Sequence, residues 1–182
     1  MHEIYASLLH TCYAADEFTR LQLYAETLLS EEGGSEFVLV KIDKCLEFLR
    51  FCCSLHPEHE DLIMRLQDLI LQACGIYIHR AKNVVPVSQS VHLVERFKRT
   101  AEKVLLESLG QNVLVWSYFI VAAESSTLEH RTFFIDRMER LYQLTGFANN
   151  LKGLAQLRKI WAIQPSMRWT RLLGGPAQVL IM

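Results

Sequence analysis

The side chains that could do chemistry are few and scattered. Five cysteines stand at Cys12, Cys45, Cys52, Cys53 and Cys74. A structural zinc site needs thiolates and imidazoles paired at short spacing so that they close on one ion, and no Cys-x-x-Cys pair occurs. An odd number of cysteines inside apolar stretches reads instead as reduced, buried thiols. The run His56-Pro57-Glu58-His59-Glu60 gathers four potential metal ligands. It falls at an expected helix start, where acidic residues favour the positive end of the macrodipole, so no metal is expected there. His79, His92 and His130 are dispersed and read as surface or hydrogen-bonded histidines. Neither a phosphate loop, a nucleophile elbow nor a His-Glu-x-x-His helix is present. Without a positioned acid, base or nucleophile, the expectation is that the chain is not an enzyme and holds no cofactor.

The composition sets the frame around this sparse inventory. The chain has 182 residues, of which 51% are hydrophobic, enough for one domain with a sizeable core. Its net charge of -1 gives no general electrostatic reason to expect direct contact with nucleic acid. The longest apolar stretch, around 113–121, falls short of the roughly 20 residues a membrane-spanning helix needs. The start Met1-His2-Glu3 lacks the features of a signal peptide, so an intracellular protein is expected.

Helical periodicity runs through the chain and prolines fall near boundaries, which predicts an all-α fold. The expectation is a single irregular multi-helix domain over 1–182, with about seven helices. The first two cover 3–30 and 35–55, split by Gly33-Gly34. The third, over 57–81, starts at Pro57 and carries Leu62, Leu66, Leu69, Ala73 and Ile76 or Tyr77 inward, with Gln67 and Gln72 among its wet residues. After a linker at Pro86, a fourth over 89–109 lines its inner side with Val91, Val94, Ala101, Val104 and Leu105. The fifth, over 113–125, has almost no polar face and reads as a buried, apolar central helix closed by Glu124. Ser126 with Glu129 forms a capping-box pattern for the sixth, over 127–144, whose inner side holds Leu128, Phe134, Ile135, Met138, Leu141 and Tyr142. The seventh, over 149–162, turns Leu151, Leu154, Leu157 and Trp161 inward.

Two groups stand out within that pattern. Trp116, Phe119, Phe133, Phe134 and Trp161 form an aromatic excess, which reads either as core or as the frame of a pocket for an apolar small molecule between helices. Glu124, at the end of an apolar helix, needs a cationic or hydrogen-bonding partner, because an unpaired buried carboxylate is costly. Spacing nominates Arg131 or Arg137.

Three pieces in a fixed order carry a family resemblance. The first is the helix Trp116-Ser117-Tyr118-Phe119-Ile120-Val121-Ala122-Ala123-Glu124. The second is Arg131, Phe133 and Phe134 followed by Arg137 and Leu141. The third is Gly146, Asn149 or Asn150, Leu157 and Trp161, with Met167-Arg168-Trp169 beyond. Together, best over 113–170, they resemble the C-terminal part of the fungal-specific transcription factor domain. Ser117 stands where that family often has Pro, and Ala123 where it often has Gly. The resemblance implies a nuclear regulatory domain, exchanging with the cytoplasm, behind an N-terminal zinc cluster that binds DNA. None of the five cysteines has the spacing of that cluster, so zinc is expected only in a part outside this sequence. Some relatives are sterol-responsive, which implies an apolar small-molecule effector. Co-regulator proteins or the transcription machinery, and a second copy in a homodimer, complete the expected partners. The alternative is a ligand-free helical protein–protein interaction module.

Overall fold

A computed structural model of the chain describes residues 51, 54, 57–82, 90–105, 114–162 and 169–170. Among these residues every regular element is helical and there is no strand. The helix expected over 3–30, that expected over 35–55 apart from residues 51 and 54, the linker at Pro86, and four of the five cysteines lie outside the described residues.

A 3-10 turn, Pro57–His59, leads into α1, Glu60–Lys82. Proline fits this entry because its missing N–H would have no intrahelical acceptor, and Glu60 and Asp61 favour the positive end of the helix. Leu66, Leu69, Ala73, Ile76 and Tyr77 are buried at helical spacing, and Arg80 continues the same stripe. Two residues expected to stay wet do not. Gln67 is buried, and Gln72 donates from Nε2 to Asp68 Oδ2 at 2.9 Å and to Thr100 Oγ1 at 3.3 Å, tying α1 to its neighbour.

That neighbour, α2, runs over Val91–Ala101, shorter than the expected 89–109. Val94, Phe97 and Ala101 are its buried stripe. The end of the helix and the turn after it take a donor from another helix. Arg137 donates from Nη2 to Ala101 O and from Nη1 to Val104 O, both at 3.3 Å. Leu105, expected inside, is therefore past the helix and 71% exposed.

All residues of α3, Val115–Ala123, are buried, and it packs against α1, α2, α4 and α5. A nine-residue helix lies below the length that is stable alone in water, so its neighbours hold it. The next helix, α4, spans Leu128–Thr145. Its cap is Thr127 rather than Ser126: the Thr127 hydroxyl accepts the backbone N–H of His130 at 3.2 Å. Glu129 is then two residues past the cap rather than the three a capping box needs, and its carboxylate pairs with Lys98 of α2. Leu128, expected inside, is 81% exposed, while His130, Phe134, Met138 and Leu141 form the buried stripe. Gly146 ends the helix with φ 71°, a left-handed conformation that glycine adopts without strain.

The last helix, α5, spans Asn149–Ala162 as expected, and packs on α3 and α4. Gly153, Leu154, Leu157 and Ile160 face inward, whereas Leu151 is exposed. Beyond it, Trp169 and Thr170 are buried.

Candidate functional site

The polar residues that organise this core converge on the C-terminal end of α3. Glu124 caps that end, where the helix macrodipole is negative and a carboxylate is least welcome. Its relief comes from elsewhere in the chain. Arg80 donates from Nε to Glu124 Oε2 at 2.9 Å and from Nη2 to Oε1, a two-pronged pair. The indole Nε1 of Trp169 donates to the same Oε2 at 2.8 Å. Arg80 and Glu124 are each 1% exposed. Three segments distant in sequence therefore meet at one carboxylate.

The two arginines nominated by spacing do other work, which corrects the expected pairing of Glu124 with Arg131 or Arg137. Arg131 donates from Nε to the Ser125 carbonyl at 3.0 Å, and its guanidinium lies 5.1 Å from the centre of the Trp161 ring. Arg137 caps α2. Each sits on α4, and each donates to carbonyls at or just past the C-terminal end of another helix. The remaining acceptors of α3 are treated similarly. Trp161 donates from Nε1 to Ala122 O, and Ser125 from Oγ to Val121 O, both at 2.9 Å. Arg80 won Glu124 because α1 lays its buried stripe against α3, and that stripe ends on a guanidinium.

The aromatic candidates divide among different neighbours. Trp116 packs on Tyr77 at 6.4 Å between ring centres, and Tyr77 in turn on Trp169 at 6.1 Å. Phe134 joins Phe97 and Tyr118, at 5.9 and 6.4 Å. Phe133 meets Phe134 edge-on and lies under Lys98 and Arg137 at 5.9 and 5.3 Å. Phe119 and Phe134 are almost completely buried, and Phe133 and Trp161 half-buried.

Across the α2–α4 seam runs a second polar layer. His130 Nε2 lies 3.0 Å from Glu95 Oε2, and Arg99 donates to Glu95 Oε1 at 2.9 Å. The His130 hydrogen bond, then that of Arg99, holds the Glu95 carboxyl below its ordinary range. Lys98 is raised and Glu129 lowered, each chiefly by the hydrogen bond they share. Burial pushes the Tyr118 hydroxyl up to about 12, so it stays protonated at neutral pH.

Chemically, this arrangement positions rather than reacts. Both Glu124 oxygens already accept donors and the group is sealed from solvent, so it is not placed to take a proton from a substrate. Among the described residues no three His, Cys, Asp or Glu side chains are close enough to hold a metal ion. No described helix is long and apolar enough to cross a membrane.

Two participants went unread in the sequence. Arg80 carried a usable signal, since it continues the period of Ala73, Ile76 and Tyr77, where a cation requires a buried partner. Phe97 carried one too, three residues after Val94 and four before Ala101, but the charges around it hid the apolar position.

Fold and site together define an all-helical domain whose buried polar groups serve packing and helix ends. The chain belongs to the fungal-specific transcription factor domain family, whose model matches residues 41–177. The match begins well upstream of the 113–170 stretch that carries the sequence resemblance, and it takes in all five described helices. The family is one of regulatory, non-enzymatic domains, and transcription regulation is the role it assigns. No curated protein and no solved structure matches the chain.

Proposed function

We propose that this chain is the regulatory domain of a fungal zinc-cluster-type transcription factor, acting in the nucleus through contacts of its helical surface with co-regulator proteins. The observation that carries the reading is the family match across all five helices. The structure suits it: the buried Glu124 network ties α1, α3 and the segment at Trp169 into one unit, so a partner bound at the surface acts on a body of defined shape. The test is a reporter assay. The chain, fused to a DNA-binding module of known target in a fungal host, should change reporter output relative to that module alone. An inert fusion that is nuclear and folded would refute the reading.

A second reading is favoured by the aromatic residues around α3. In it, Trp116, Phe119, Phe133, Phe134 and Trp161 frame the site of an apolar effector, which shifts the domain between states by binding them unequally. Because Phe119 and Phe134 are fully packed, such an effector would need the core to open. A rise in melting temperature with one member of a sterol and fatty-acid panel supports this reading; no rise with any member counts against it.

A further inference from the structure

The fold leaves one motif of the sequence without a role. The Ser126–Glu129 pattern reads as a capping box, yet Thr127 takes the cap and Glu129 pairs with Lys98. Ser126 lies in the irregular connection between α3 and α4, exposed, and its hydroxyl makes no hydrogen bond among the described residues. Of the described serines and threonines it alone is both exposed and outside a helix. It is also the one serine or threonine of the 182 residues that is followed, three positions on, by an acid. Two independent criteria, one of structure and one of sequence, thus single out the same hydroxyl. The acid in question, Glu129, is itself exposed, as is Leu128 between them.

The surroundings suit an anionic group at this position. Arg131 is tethered by its Nε to the carbonyl of Ser125, in the peptide unit that joins it to Ser126. Its Nη1 and Nη2 make no hydrogen bond among the described residues, which leaves a charged fork beside the serine. We propose that Ser126 is a phosphorylation site, read by a protein kinase that selects an acid three residues after its target. Fraying of the first turn of α4 presents Thr127, Leu128 and Glu129 to such a kinase. Ser126 Oγ attacks the γ-phosphorus of ATP, forming the O–P bond as the bond from that phosphorus to the β–γ bridging oxygen breaks. ADP leaves with the electron pair, and the hydroxyl proton passes to the general base of the kinase. The product places a charge of about −1.5 to −2 just before the α4 cap, where Arg131 and the start of the helix both favour it. The inference goes beyond the regulatory reading and does not rest on it.

The test uses the full chain, MgATP and a purified Ser/Thr kinase of the acid-selecting class, with incorporation followed by intact mass. One phosphate per chain is expected, placed on Ser126 by peptide mapping. Ser126→Ala should abolish it, and circular dichroism should show that variant folded, since the side chain is exposed. Glu129→Gln should slow incorporation by about tenfold, the worth of one charge contact to the kinase. Because that change also breaks the pair with Lys98, Lys98→Gln serves as its control: it breaks the same pair, keeps the acid, and should leave the rate unreduced. The phosphorylated chain should melt about 2–4 °C higher than the unmodified one, and in Arg131→Gln most of that rise should vanish. Absence of incorporation into the folded chain would overturn the proposal, as would undiminished incorporation into Ser126→Ala. A rate insensitive to Glu129→Gln would overturn the recognition argued here. A melting temperature unmoved by the phosphate would overturn its reception by Arg131.

Discussion

Replacing Glu124 with Gln tests the physical core of the structure, because shape is kept and charge removed. The carboxylate accepts Arg80 Nε and Trp169 Nε1 on Oε2 and Arg80 Nη2 on Oε1. A glutamine amide offers one oxygen. Placed at Oε2, that oxygen keeps two donors, but its own NH2 then faces Arg80 Nη2, donor against donor. The flipped amide loses the other two. Either way, Arg80 stays charged and buried at 1% exposure with the Glu124 carboxylate gone. Removing one partner of a buried pair costs about 3–5 kcal/mol, a large part of the 5–15 kcal/mol or so that holds a domain together. For a chain of this size, the melting temperature should fall by about 6–20 °C. The assay is urea unfolding with the m-value monitored, so that a change in midpoint at constant slope reports stability alone. A double-mutant cycle completes it: Arg80→Met with Glu124→Leu should cost less than the sum of the two single changes, since neither charge is stranded. A loss below about 1 kcal/mol for Glu124→Gln, or strictly additive costs in the cycle, would refute the argument that this pair carries the junction.

Other outcomes follow from single contacts. Trp169→Phe removes one hydrogen bond to a charged acceptor and should cost about 1.5–3 kcal/mol by urea unfolding, less than the loss of Glu124 itself. Thr127→Ala should cost about 0.5–2 kcal/mol through loss of the α4 cap, whereas Ser126→Ala should stay within about 0.5 kcal/mol; the reverse order would restore the capping box at Ser126. Gly75 is exposed within α1 and a Cβ there meets nothing within 4 Å, so Gly75→Ala should stabilise by about 0.8–1 kcal/mol, read as a higher urea midpoint. The Glu95 carboxyl is held below its ordinary range, so its pairing contributes fully above the unfolded pKa of about 4.3 and is lost as pH falls through the lower folded value. Glu95→Gln should therefore flatten the loss of stability on acidification, and an unchanged acid limb would exclude that role.

What the sequence determined and what it left open divide along the range of the forces involved. The all-helical class, the bounds of α5 and the inward stripe of α1 were legible, because a helix bonds within itself and its buried side repeats every three or four residues. The need of Glu124 for a partner was legible as well, since a carboxylate on so apolar a helix cannot stand alone. Which partner it takes was not. Arg131 and Arg137 lie near Glu124 in sequence, yet Arg80 is the one that tertiary packing brings to it. The two nearer arginines go to helix ends that exist only once the helices have stopped where they do. The early end of α2 was not legible either: Arg137 of α4 reaches across to its last carbonyl, Ala101 O, and to Val104 O in the turn beyond. Likewise Thr127, and not Ser126, caps α4, and Glu129, the acid expected in the box, pairs with Lys98 of another helix. Local patterns specify elements through bonds made within a few residues. Pairings between charges and carbonyls across helices depend on distances that only the folded core sets.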